Sequence, residues 1–352
     1  MQPITRSTTI RDVARLAGVS VATVSRVLNG NHGVRGPARQ AVERAIKTLN
    51  FEPNQTARRL SLGKTFTLAA IAPFFYRASS VERLRGLESV FSTSAYDLVV
   101  YNVETIETRD RYFSELLRPD RVDGVVVISL SPDDAHAEAF ERSGLPVVLV
   151  DAVHPRLPSV HEDSALGGYL ATRHLIELGH RRIAFICDEL NAPLSIIGSN
   201  ANINRLAGYR RALSEAGLPL DPALFREGPH SKRLARGLAR ELLTSPNPPT
   251  AIFAVSDTHA MGVLDAARDL NLRVPGDLSV VGYDDVEVAE YIGLTTINQS
   301  LEKSGRRGAE LLLGLLDTPV DAPTGESVQP GSESIEVTLV VRGTTGAPLQ
   351  RG

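Results

Sequence analysis

The sequence predicts two unlike parts: a small all-α module at the N-terminus, then a larger α/β body built on parallel sheets. Residues 1–64 hold eleven Lys and Arg against three acids, a local charge of +8, while the remainder carries −11. Apolar residues in that basic segment recur only at helical spacing. From residue 67 onward, short apolar runs alternate with amphipathic stretches, the pattern of strands buried on both faces by helices. With 352 residues, 42% of them hydrophobic, the chain is long enough for two or three domains with full cores.

In "TTIRDVARLAGVS", Ile10, Val13, Ala14 and Ala17 share one helical face, Thr8 or Thr9 is placed to cap, and Gly18 to terminate. Ser20 can cap a second helix running to about Leu28, with Val24, Val27 and Leu28 as its apolar stripe. A third helix is predicted in "GPARQAVERAIKTLN", where Ala38, Val42, Ala45, Ile46 and Leu49 form the buried face and Pro37 suits the first turn. Two short helices joined by a tight glycine-containing turn make a helix-turn-helix. With the third helix and the surplus of positive charge, the segment is expected to bind DNA, a polyanion that such a surface attracts.

The body reads as "TLAAIAP", "YDLVVYNV", "VDGVVVISL", "LPVVLVDA", "RIAFICD", "TAIFAVSD" and "LSVVGYDD", each followed by a helical stretch. About ten such units exceed one doubly wound sheet, so two α/β lobes are expected, with a ligand at the carboxyl ends of their strands. No run approaches the roughly 18 apolar residues of a membrane span. The start, "MQPITRSTTI", lacks the apolar block of a secretory signal, so the cytoplasm is the expected location. The single cysteine, Cys187, reads as a strand core residue. No glycine-rich dinucleotide fingerprint, P-loop or nucleophile elbow is present, so no enzyme and no cofactor is expected. The eight histidines lack metal-ligand spacing, His174 and His180 reading as helix-surface and helix-end residues, so no metal is expected either.

The runs "TIRDVARLAGVSVATVSRVLNG" and "FEPNQTARRLSLGKT" resemble the N-terminus of the LacI/GalR family of bacterial repressors. "NRLAGYRRAL", "AVSDTHAMGVLDAARDLNLRVPGDLSVVGYDD", "LTTINQSLEKSGRRGAELLL" and "IEVTLVVRGTT" resemble its effector domain, itself similar to periplasmic sugar-binding proteins. The resemblance implies a helix-turn-helix domain over 1–53, a hinge helix and linker over 54–64, an effector-binding and dimerisation domain over 65–345, and a tail over 346–352. One lobe is expected near 67–163 and 296–325, the other near 164–292 and 330–343.

It also implies roles. Val21, Ala22 and Arg26 fall where family members face base edges, and Thr9, Ser20, Thr23, Ser25 and Asn29 where they meet the DNA backbone. Asn54 would cap the hinge helix, Ala57 would let two such helices approach, and Leu60 would wedge into the minor groove. Arg205 and Asp284 match effector contacts; Ser256, Asp163 and Asp151 are further candidates at strand ends. One departure stands out in "APFFYRASSVERLRG": Ser79 and Ser80 occupy positions where aromatics are common in the family. Phe74, Tyr76, Tyr283 or Tyr291 are then the candidates to stack on a ligand, since the chain has no tryptophan.

The implied partners are double-stranded operator DNA, a sugar-like small-molecule effector and a second copy of the chain. The C-terminus has no leucine heptad, so a homodimer is expected rather than a tetramer. Two other classes share parts of the pattern. An effector-independent architectural DNA binder would keep the basic module and lack a working cleft. A solute-binding receptor would have similar lobes, a leader and no helix-turn-helix.

Overall fold

The computed structural model describes residues 8–28, 34, 36–51, 64–118, 120–191, 200–317 and 331–349. The chain divides into two compact units between Thr65 and Phe66. In the first, α1 (Ile10–Ala17) starts at Thr9, whose backbone N–H and hydroxyl both donate to Asp12 Oδ2, at 3.0 and 2.7 Å. An acid in the first turn also complements the helix dipole. Gly18 ends α1 at φ 65°, a left-handed conformation that residues with a Cβ avoid. Ser20 accepts the Thr23 N–H at 3.2 Å and opens α2 (Val21–Leu28); α3 (Gly36–Thr48) completes the bundle. Val13, Ala14, Val24, Val42 and Ala45 form the core, joined by Phe51 just beyond α3, which the helical periodicity does not reach.

The second unit opens with β1 (Thr67–Pro73), α4 (Ala78–Phe91), β2 (Asp97–Val103), α5 (Ile106–Glu115), β3 (Gly124–Ile128), α6 (Asp134–Ser143), β4 (Val147–Val150) and β5 (Ser159–Glu162). Next come α7 (Ser164–Glu177), β6 (Ile183–Asp188), α8 (Ala201–Glu215), β7 (Phe225–Gly228), α9 (Lys232–Leu243), β8 (Ala251–Ala254), α10 (Asp257–Asp269), β9 (Ser279–Val281) and α11 (Glu287–Tyr291). It closes with β10 (Thr296–Asn298), α12 (Leu301–Asp317), β11 (Ser332–Ile335) and β12 (Thr338–Val340).

Two parallel sheets result, ordered β11-β5-β4-β3-β1-β2 and β7-β6-β8-β9, each the centre of one lobe. Alternate residues of β1 feed opposite cores: Ala69 and Ile71 on one face, Leu68, Ala70 and Ala72 on the other. In β6, Phe185 and Cys187 face one core and Ala184 and Ile186 the other, so Cys187 is a buried strand residue. A sheet covered on both faces has no polar side, which is why its strands read as continuous apolar runs.

The lobe boundaries differ from expectation at the C-terminal end. Residues 332–335 pair with Ser159–Glu162 at the edge of the first sheet instead of joining the lobe of 164–292. Residues 296–298, expected with the first lobe, take no place in its sheet and form an antiparallel ribbon with 338–340. Strands of three or four residues carry too little periodicity to name their partner; only register with a neighbour decides it. Gly346, at the start of the tail, is tied to the second sheet. The Gly346 N–H donates to Ser279 Oγ at 3.1 Å, and its carbonyl accepts from His180 Nε2 at 2.9 Å. His180 follows the end of α7, as expected, and is buried there as a clasp between the second sheet and the tail.

Three segments pass between the lobes: β5 into α7, β9 through β10 into α12, and β11 into β12. Glycines permit very close helix crossings beside them. A Cβ on Gly208 of α8 would lie 2.0 Å from the Ala165 carbonyl oxygen of α7, and one on Gly168 2.2 Å from the Arg205 carbonyl. Across α4 and α12, a Cβ on Gly305 would lie 2.0 Å from the Arg83 carbonyl. Both crossings thus fix the backbone of an arginine that reaches the cleft between the lobes.

Candidate functional site

The first candidate is the outer face of α2. Val24 is buried, while Val21, Ala22 and Arg26 are exposed; Ala22 and Arg26 lie one turn apart on the same face. Thr23 and Ser25 are half-buried beside them. Ser20 and Thr9 are engaged locally: Ser20 Oγ lies 2.9 Å from Thr23 Oγ1, and the Thr9 hydroxyl is held by Asp12. Both hydroxyls act here as parts of helix starts. Asn29, Asn54, Ala57 and Leu60 lie outside the described residues.

The second candidate is a polar cleft of about 110 Å³ between the lobes, at the carboxyl ends of the strands. Arg77, Ser79, Ser80, Arg83, Ser129 and Asp151 line it from the first lobe. Asp188, Arg205, His230, Ser256 and Asp284 line it from the second, with Gln299 at the crossing after β10. Three arginines and three aspartates share this small space. Asp151 (φ 56°) and Asp284 (φ 125°) hold conformations that cost residues with a Cβ about 1–3 kcal/mol each, a strain concentrated at binding sites.

A hydrogen-bonded chain spans the lobes. Asp151 Oδ2 accepts from Ser129 Oγ at 2.5 Å and sits 3.2 Å from Arg83 Nη2. Arg83 Nη2 donates to Gln299 Oε1 at 2.9 Å, and Gln299 Nε2 donates to Asp284 Oδ1 at 2.5 Å. Arg205 is fixed separately. Its Nη1 donates to the Val255 carbonyl at 2.7 Å, its guanidinium lies 3.7 Å from the centre of the Tyr283 ring, and Nη2 is 3.8 Å from Glu162. The Nε groups of Arg83 and Arg205 are buried and have no hydrogen-bond partner among the described residues. Buried donors of this kind are ready for a ligand's oxygen atoms.

Burial pushes the Asp284 carboxyl up to about 6, in spite of Arg205 and Arg83 nearby. Burial likewise raises Asp257 behind it, helped by the charge of Asp284. Glu162 is raised by burial and opposed by Arg205. Between the ordinary 3.8 and about 6, folded Asp284 holds a proton that the unfolded chain has released, so stability falls as pH rises through that window. Asp284→Asn, neutral and of the same shape, is expected to stabilise the chain by about 1–3 kcal/mol near pH 8. Near pH 4 it should match the parent; denaturant unfolding at both pH values checks the sign.

Asp188 behaves oppositely. Burial works against its ionised form, but the hydrogen bond from His230 and the nearness of His259 outweigh it and hold the carboxyl well below its usual range. Burial lowers His230, against the pull of Asp188.

Of the residues expected at the ligand, Arg205, Asp284, Ser256 and Asp151 line the cleft. Asp163 does not: it is exposed and caps α7, accepting the Leu166 N–H at 2.8 Å, while its neighbour Glu162 turns inward to Arg205. A one-residue step along a strand end reverses the side chain's direction. Tyr76 is 61% exposed and outside the lining, and Phe74 lies beneath Arg77, ring centre 4.1 Å from the guanidinium carbon. Phe74 therefore packs against Arg77 and is not part of the cleft lining. Sequence reasoning missed Arg77, Arg83, Ser129, Asp188, His230 and Gln299. Asp188 was findable, since it ends "RIAFICD" as Asp284 ends "LSVVGYD"; His230 follows a short edge strand and carries no local signal.

Residues 9–54 match the profile of bacterial regulatory proteins of the lacI family, and residues 172–345 that of a periplasmic binding protein-like domain. The chain is 34% identical over 310 residues to the HTH-type transcriptional repressor PurR of Vibrio atlanticus (strain LGP32), covering 87% of this chain and 91% of that one. A solved structure of the lac repressor dimer bound to operator and the anti-inducer ONPF superposes with a TM-score of 0.81 at 30% identity, covering 97% of this chain and 100% of the other. A complex of the transcriptional regulator CelR with cellobiose superposes with a TM-score of 0.66 at 33% identity, covering 96% and 99%.

Proposed function

The chain belongs to the LacI family of bacterial regulatory proteins, and from that premise we propose a homodimeric repressor that binds operator DNA and answers to a small polar ligand held between its lobes. The exposed face of α2 supports the DNA-binding half. Phosphate contacts supply most of the affinity of such a module, and its basic charge provides for them. Arg26 is the one long donor on that face and can grip a guanine through O6 and N7, whereas Val21 and Ala22 can select only shape or a thymine methyl. So sparse a reader gains specificity by pairing with its copy on a two-fold operator. Arg26→Ala is expected to relax preference at one base position per half-site by about 1–3 kcal/mol, read from binding to a library of operator variants.

The observation that carries the ligand-binding half is the cleft itself, with three arginines facing three aspartates and unpartnered buried donors on Arg83 and Arg205. Hydroxyls pair with both charge types at once, and no Phe or Tyr lines the cleft among the described residues, which favours a polyhydroxylated ligand over a flat base. The chain Asp151–Arg83–Gln299–Asp284 ties the lobes through groups that a ligand would contact. A ligand that binds one lobe arrangement better shifts the balance of the two, and the linker over 54–64 would pass that shift to the DNA-binding units. The same cleft weighs against an architectural DNA binder without effector. No helix among the described residues is long and apolar enough to cross a membrane.

The test is thermal unfolding of the full chain against mono- and disaccharides, polyols and nucleobases, followed by operator binding with any compound that stabilises it. The expected result is a raised midpoint for one hydroxylated class and a changed operator affinity. Stabilisation by no compound would sink the reading of the cleft and leave the DNA-binding half standing.

A further inference from the structure

At one edge of the cleft the fold brings together three side chains able to hold a metal ion. Asp188 ends β6, His230 follows β7 and His259 lies in the first turn of α10, directly after β8. Those three strands are adjacent, in the order β7-β6-β8, so three neighbouring carboxyl ends each deliver one side chain to one point. The candidate ligand atoms all lie within 4.8 Å of one another. His230 Nδ1 is 3.1 Å and His259 Nε2 is 3.3 Å from Asp188 Oδ1. A tetrahedral ion with bonds of about 2.0–2.1 Å sets its ligand atoms about 3.3 Å apart, close to both spacings.

His259 supplies the second observation. The residue is 1% exposed, and its Nε2 has no hydrogen-bond partner among the described residues; it is near Asp188 but not aligned with it. The other ring nitrogen, Nδ1, sits 2.6 Å from Ser256 Oγ. If Nδ1 carries the proton and donates it to that hydroxyl, Nε2 presents a bare lone pair, the arrangement by which metal-binding imidazoles are oriented. Asn202 Nδ2 holds the far carboxylate oxygen of Asp188 at 3.1 Å. Arg77 lines the same cleft and feels the charge of Asp188, but among the described residues it makes no ion pair with it, so neither oxygen of Asp188 is taken up by a guanidinium.

We propose that Asp188, His230 and His259 form a binding site for a divalent transition metal of the zinc type, with its remaining position open to the cleft. Two imidazoles and one carboxylate suit the borderline first-row ions, and three protein ligands leave a place for an exchangeable water or a ligand oxygen. The site deepens the reading of the cleft as a ligand pocket, because a metal there would bind a chelating hydroxyl or carboxylate directly. Its existence does not depend on that reading.

The test uses the full chain, stripped with a chelator, without DNA or organic ligand. Titration with Co²⁺ followed by visible absorption, and with Zn²⁺ by calorimetry, should give one ion per chain and the absorption of a four- or five-coordinate cobalt centre. His230→Gln, at a partly exposed position and with an amide still able to donate to Asp188, should weaken binding at least tenfold while the metal-free chain still folds and unfolds cooperatively. His259→Ala should do the same where it folds, and His154→Ala, distant in the first lobe, should change nothing. Absence of a coordinated cobalt spectrum, or binding indifferent to His230→Gln, would overturn the proposal. Because no effector or operator is present, that failure is distinct from failure of the ligand-binding reading.

Discussion

Gly208→Ala is expected to destabilise the body by about 3 kcal/mol and to displace Arg205 from the cleft. The added carbon would lie 2.0 Å from the Ala165 carbonyl oxygen and 2.5 Å from the Tyr169 amide nitrogen, both backbone atoms of α7. Side chains can turn aside from an overpacked contact, but helix backbone cannot, so the cost falls at the upper end of the usual 1–3 kcal/mol, or about 3 kcal/mol. Separating α7 from α8 moves Arg205, which rides on α8 and whose carbonyl lies against Gly168. Gly237→Ala is the control. It lies inside α9 with no atom within 4 Å of the new carbon, and alanine there should stabilise by about 0.5–1 kcal/mol. Thermal unfolding of both variants gives opposite signs if the crossing is as close as described.

Arg205→Met should weaken ligand binding and, separately, cost about 3–5 kcal/mol of stability, because it leaves Glu162 buried without its partner. Among the described residues Glu162 would keep hydrogen bonds from Ser164 at 2.6 Å and the Tyr283 hydroxyl at 3.4 Å. Adding Glu162→Gln removes the stranded charge, so the double variant is expected to recover most of the stability. It should recover none of the ligand affinity, which the loss of a charged donor lowers about tenfold to a hundredfold. Unfolding measurements on the two single variants and the double separate the structural from the binding role. If the double variant bound the ligand like the parent, Arg205 would be a framework residue only.

Much of this molecule is legible in one dimension. The three helices of the basic unit carry their own caps at Thr9 and Ser20, their own stop at Gly18 and a complete apolar face. The strands of the two sheets announce themselves as runs such as "GVVVI", because burial on both faces leaves no polar alternation. Asp284, Asp151 and Ser256 line the cleft because they close strands or open the helix beside one, where the fold class puts a ligand, whereas Arg205 follows only from the family resemblance. Asp163 failed by one residue, since its neighbour Glu162 carries the inward direction. Phe74 and Tyr76 lie outside the cleft lining, because an aromatic ring near a site in sequence says nothing about which way the ring points.

By itself the sequence determined the charge division of the chain, the helix-turn-helix, the parallel α/β body and the strand ends at which polar side chains gather. Local physics governs all of these: helix period, caps, turn residues and the apolar length of a buried strand. Only the tertiary structure decided that residues 332–335 join the first sheet and that Arg83, Gln299 and Asp284 form one chain across the lobes. It alone brought His230 and His259 to Asp188. Those associations depend on the order of strands within a sheet and on backbone contacts as close as Gly208 against Ala165. Both are set by the packing of segments far apart in sequence, and no spacing along the chain records them.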